Sequence, residues 1–94
     1  MGMAKPSGGV VPVVGNIGDL NKEGIPNSRY DLYNEQGKLI QSRWYDANGR
    51  AAHNRDYEHG NKGGIHPFPH DHEWDWTKII PRDKNILPVN PDFI

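Results

Sequence analysis

Two short turns constrain what the middle of this chain can become. Asn34-Glu35-Gln36-Gly37 and Asp46-Ala47-Asn48-Gly49 each end on glycine, the residue that takes up positive φ at little steric cost. Between them Lys38, Ile40, Ser42 and Trp44 alternate with Leu39, Gln41, Arg43 and Tyr45. That two-residue period belongs to a strand. Ser28–Tyr33 before the first turn and Arg50–Tyr57 after the second complete two successive hairpins, an antiparallel meander. Tyr30-Asp31 with Gly37-Lys38 is echoed by Tyr45-Asp46 with Gly49-Arg50, which reads as a repeated hairpin and not as a solenoid.

The flanks are less regular. Residues 1–27 are rich in Gly and Pro, which break any long helix. They read as an N-terminal segment with one short strand at Val10–Val14 and a single turn after Asp19, ended by Gly24. Residues 58–72 read as a long loop dense in Gly, Pro and His, and loops of that length inside a compact domain are usually either functional or disordered. Glu73–Ile80 alternates again and predicts a fourth strand. Pro81, Pro88 and Pro91 make residues 81–94 an extended tail, lying along the sheet through Ile86, Leu87, Val89 and Phe93. The expected fold is α+β or mostly β: a four-stranded antiparallel meander at residues 28–80 with a His/Pro/Gly loop and extended termini.

Ninety-four residues allow one domain. A chain this short buries only ~60–65% of its unfolded surface. With 34% apolar residues and a mean hydropathy of −0.87, burial must lean on aromatic side chains. No cysteine is present, which excludes disulfides and thiolate metal sites. Six basic and five acidic groups in the first fifty residues face five and seven in the rest, so neither half is a basic nucleic-acid-binding tail. A local basic cleft is still compatible with that balance. The one apolar run near the start, Val10-Val11-Pro12-Val13-Val14, is too short for a signal-peptide core or a membrane span.

Chemistry is concentrated in the histidines. His53, His59, His66, His70 and His72 fall within twenty residues. Histidine gives and takes protons near neutral pH and is also the commonest neutral metal ligand. One reading is metal-independent RNA cleavage, in which the 2′-OH attacks and the protein supplies base, acid and a cation for the phosphate. His59 and His70 are the expected acid and base, with His66 and His72 as further candidates. Asp56 orients an imidazole, and Arg50, Lys62 and Arg55 bind phosphate. This reading needs no cofactor. The second reading is a divalent metal such as Zn held by His66, His70 and His72, or with His59 or Asp56, because His70-Asp71-His72 in an extended chain puts both imidazoles on one side. The bland alternative is a solvated loop stiffened by Pro67 and Pro69. For Trp74 and Trp76 a core role is favoured over stacking on a base, and for Arg43 a stem covering apolar surface.

The order Tyr45-Asp46-Ala47-Asn48-Gly49-Arg50-Ala51, then Asp56-Tyr57-Glu58-His59-Gly60-Asn61, then His66 and Pro69-His70-Asp71-His72-Glu73-Trp74 resembles the C-terminal toxin domains of bacterial polymorphic toxins of the Rhs and contact-dependent inhibition type. The resemblance covers about half the chain. It implies a nuclease, most often an RNase, secreted or delivered into the cytoplasm of a target bacterium and neutralised by a cognate immunity protein, with no membrane partner. It implies Arg50, Asp56, His59, His66, His70 and His72 as site residues. Asn54 stands where the pattern would carry a second acidic residue, which counts against a carboxylate-rich metal site. The rival class is a non-catalytic interaction module of a phage or secretion system, with Trp74, Trp76 and the proline-containing tail as its contact surface.

Overall fold

In the computed structural model, described here for residues 6–57 and 69–94, both turns form as their sequences dictate. Asn34 Oδ1 accepts from the amides of Gln36 and Lys38, and Asp46 Oδ1 accepts from those of Asn48 and Arg50. Gly37 and Gly49 occupy the same place in each loop, at φ 79° and 77°. A register shift adjoins each loop, opposite Leu32/Tyr33 and opposite Trp44/Tyr45, the arrangement expected of a tight turn with a bulge beside it.

The sheet has five strands in the order β1-β2-β3-β4-β5: β1 Val10–Val14, β2 Arg29–Tyr33, β3 Leu39–Tyr45, β4 Ala51–Asp56 and β5 His70–Glu73. The protein is thus mostly β, without a helix among the described residues. Three expectations are corrected. The sheet is five-stranded and mixed, because Val10–Val14 pairs in parallel with β2 along its whole length. The last strand begins at His70 and ends at Glu73, so His70 and His72 are strand residues and not part of a loop. Beyond Glu73 the described chain forms no further strand, only isolated bridges of Trp74 to Arg82 and of Leu87 to Asp71. No helical turn follows Asp19 either; its carboxylate accepts from the Asn16 amide, and the chain runs on irregularly to a bridge between Glu23 and Arg50.

Register places side chains in rows, since cross-strand partners point to the same face. One face carries the rows Leu32–Gln41–Asp56–His70 and Tyr30–Arg43–Asn54–His72. The other carries Asp31–Ser42–Arg55–Asp71 and Arg29–Trp44–His53–Glu73. Leu20, Leu32 and Ile40 form a small apolar cluster with Val13 and Tyr30 beside it. Among the described residues six apolar side chains are buried, against eleven polar or charged ones. The centre of the sheet is therefore a hydrogen-bonded polar network, and its members must satisfy one another.

The C-terminal tail closes the second face. Leu87 and Asp71 exchange backbone hydrogen bonds, the Phe93 ring stacks on His53 at 3.9 Å, and the Trp44 indole N–H donates to the Ile94 carbonyl. Ile86 and Val89, in contrast, are exposed.

Candidate functional site

Asp56 at the end of β4 lies opposite His70 at the start of β5, and the two-residue period brings His72 to the same face. Asp56 Oδ2 stands 3.5 Å from His70 Nε2 and 3.4 Å from His72 Nε2. One donor atom from each residue lies within 4.8 Å of the others, and all three side chains are buried. The two imidazoles meet edge to face, with centroids 5.0 Å apart.

The surroundings fix the orientation of these groups. Gln41 Nε2 donates to Asp56 Oδ1 at 2.8 Å, leaving Oδ2 turned toward the histidines. His72 Nδ1 is 2.9 Å from the Asp83 carbonyl oxygen. A carbonyl only accepts, so Nδ1 carries the proton, and a neutral His72 directs the Nε2 lone pair at a carboxylate oxygen. Lone pairs converging in a buried place are stabilised by a cation, either a proton on the imidazole or a metal ion. A histidine whose second nitrogen donates to a carbonyl, beside a carboxylate held by an amide, is the usual outer shell of a metal site.

Comparison with protein-family models, curated proteins and solved structures finds no match.

A second His–Asp pair occupies the opposite face. Asp71 is fully buried and accepts from His53 Nε2 at 2.6 Å, from Arg55 Nε at 2.9 Å, and from the Asn90 amide at 2.8 Å. Burial pushes its carboxyl up, but the bonds from Arg55, Asn90 and His53 outweigh burial and hold it below the ordinary carboxylate range. Arg55 also reaches the carbonyls of Phe93 and Asn90. This group ties β4, β5 and the tail together.

Of the residues expected to act, Asp56, His70 and His72 come together. His59, His66 and Lys62 lie outside the described residues. Arg50 precedes β4 at the end away from Asp56, six residues or about 20 Å along an extended chain, with its guanidinium over the Trp76 ring. Arg55 faces the other way and is bound to Asp71. Trp76 donates to the Ala51 carbonyl and stacks on Trp74, which donates to Asn54.

Sequence reasoning missed three participants: Gln41, the Asp83 carbonyl and Arg43. Arg43 is buried, with its guanidinium over the Trp74 ring, and donates to Asn54 Oδ1 and to the Leu20 and Asn21 carbonyls. The signal for Gln41 was its place in the alternating Lys38–Tyr45 stretch, two residues from Arg43 and on its face. Asn54 accepts from both Arg43 and the Trp74 indole.

Proposed function

We propose that the protein is a metal-dependent nuclease whose hydrolytic centre is a divalent ion held by Asp56, His70 and His72. The observation that carries this reading is the convergence of three donor atoms within 4.8 Å, with the His72 tautomer fixed by the Asp83 carbonyl. Two imidazoles and one carboxylate suit Zn²⁺, Mn²⁺ or a similar ion. Three protein ligands leave positions for water and for a phosphate oxygen. The ion would polarise the phosphate and lower the pKa of its bound water, so that hydroxide attacks near neutral pH.

The metal-independent alternative rests on His59, which lies outside the described residues, so the choice here turns on His70 and His72 alone. General acid and general base serve opposite ends of a phosphodiester, the attacking and the leaving oxygen. His70 and His72 both direct Nε2 at one carboxylate, an arrangement suited to one shared cation. Asp56, His70 and His72 also stand at the heart of the sequence pattern that resembles polymorphic toxins. That supports an effector role in a target bacterium, with nucleic acid as substrate and an immunity protein as partner.

The test is direct. Purified protein is incubated with total RNA and with DNA after treatment with EDTA, and again after addition of Zn²⁺ or Mn²⁺. Cleavage should vanish with chelation and return with metal, and His70→Ala and Asp56→Ala should abolish it. RNA loss that persists in EDTA would move the function to acid–base catalysis. Absence of any cleavage, with no growth arrest on expression in bacteria, would leave the interaction module.

A further inference from the structure

Two depressions meet beside the candidate centre, sharing Ile80 and Arg82 in their walls. Their volumes are about 250 and 240 Å³. Lys22, Arg43 and Arg82 line the first, and Lys78, Arg82 and Lys84 the second. Five of the chain's eleven basic residues thus line this groove, against one of its twelve acidic residues, Asp83. In a chain of net charge −1 that is a local concentration of positive charge. Lys22, Arg82 and Lys84 are exposed, and none forms an ion pair with another described residue.

The groove is joined to the centre through the backbone. Asp83, in the wall of the second depression, supplies the carbonyl that orients His72. Arg82 bridges Trp74, which is two residues beyond His72 and lies beneath the Arg43 guanidinium. Along the strands, Arg43 and Asn54 are each one two-residue step, about 7 Å, from Gln41 and Asp56. Burial pulls the Arg43 guanidinium below its ordinary value and the charge of Arg82 adds to this, against Tyr45 and Asp56. An anion seated by the two guanidiniums would relieve that repulsion.

We propose that this groove binds the sugar–phosphate backbone of a single nucleic-acid strand next to the scissile phosphate, with Lys22, Arg82 and Lys84 as its phosphate contacts. The proposal rests on the nuclease reading and adds its substrate class. Guanidinium and ammonium groups at the walls match phosphate oxygens. Asp56, His70 and His72 are each no more than 3% exposed. A phosphate on a stiff duplex lying over the surface would not reach them, which favours a flexible single strand as the occupant. Trp74 and Trp76 stack on each other and carry Arg43 and Arg50 on their rings. Recognition therefore runs through phosphate and not through bases.

The experiment uses the whole protein in EDTA and fluorescent strands of about twelve nucleotides, as DNA and as 2′-O-methyl RNA. Neither is cut by a chelated metal enzyme or by 2′-OH attack. Anisotropy is read between ~50 and ~200 mM salt, with a DNA duplex alongside. Single strands should bind with salt-sensitive affinity and the duplex more weakly. Combining Lys22→Ala, Arg82→Ala and Lys84→Ala should weaken strand binding about tenfold or more and flatten the log–log salt slope by about two, since each phosphate contact contributes ~0.7. Lys38→Ala, a charge removed away from the groove, should change little. DNA binding as tight as 2′-O-methyl RNA binding points to the shared backbone, and a large RNA preference to sugar readout in the same groove. No strand binding, duplex binding as tight as single-strand binding, an unchanged triple variant, or an equal loss in Lys38→Ala would each overturn the proposal. Calorimetric titration with Zn²⁺ tests the metal reading separately: zinc bound without strand binding sinks only the groove, and strand binding without zinc sinks only the metal centre.

Discussion

At the residue scale the proposed metal centre depends on groups that would not touch an ion themselves. Gln41 is the clearest of them. Its carboxamide holds one oxygen of Asp56 and so decides which oxygen faces His70 and His72. Replacing an outer-shell partner of a metal ligand typically costs 10- to 100-fold in affinity. Gln41→Leu should therefore weaken Zn²⁺ binding by about tenfold or more while leaving all three ligands in place, as read by competition with a chromophoric chelator. Unchanged affinity would mean that the Asp56 rotamer is set elsewhere. The pairing of His70 with His72 was legible in the sequence, because strand alternation puts both on one side, whereas Asp56 was read first as an orienting group and His66, read as the third ligand, lies outside the described residues. The same rule sends Asp71 to the other face, toward His53 and Arg55, which share a face in β4. Their partnership was not read, because a long connection between β4 and β5 does not set register. A one-residue slip would have reversed every assignment.

At the scale of elements the two hairpins were the most legible part of the fold. An Asn or Asp that accepts from two amides, followed three positions later by glycine, is local chemistry that needs no tertiary help. The parallel partner was not legible. β1 reaches β2 through a crossover without helical or strand periodicity, and Val10 and Val14 at its ends are exposed. The start of β5 was missed because His-Asp-His-Glu has none of the β-branched character that marks strands; its burial comes from polar pairing. The two turns also allow a matched comparison. A side chain at positive φ costs about 1–2 kcal/mol. At Gly37 an added Cβ meets nothing within 4 Å, whereas at Gly49 it would fall 2.6 Å from the Gly24 carbonyl oxygen. Gly24 and Gly49 are hydrogen-bonded through their backbones, so the neighbour is not free to move aside. Gly37→Ala should then cost about 1–2 kcal/mol, and Gly49→Ala about 1–3 kcal/mol more for the forced contact, by urea unfolding. Equal losses would mean that the loop at Gly24 yields.

At the scale of the whole molecule, a polar interior takes the place of the apolar one that a chain of this composition cannot build. Its strongest point is Asp71, where one carboxylate of β5 gathers His53 and Arg55 from β4 and the amide of Asn90 from the tail. Removing that carboxylate does more than delete hydrogen bonds. It leaves the Arg55 cation partly buried without its carboxylate, and it unties the tail at Asn90. Breaking a buried pair by removing one partner costs about 3–5 kcal/mol. For a domain of this size total stability is about 5–15 kcal/mol, so the loss is a large share of the whole. Asp71→Ala should lower the urea midpoint by a corresponding amount, and limited proteolysis should open the chain first within residues 87–94, because the tail is held mainly through this group and through Phe93 on His53. Phe93→Ala removes the ring contact alone and leaves the carboxylate network in place, so its loss should be smaller and its tail cleavage slower. If Asp71→Ala unfolded no more readily than Phe93→Ala, the tail would be held by apolar stacking, and the buried carboxylate would add specificity of register between β4 and β5 without adding stability.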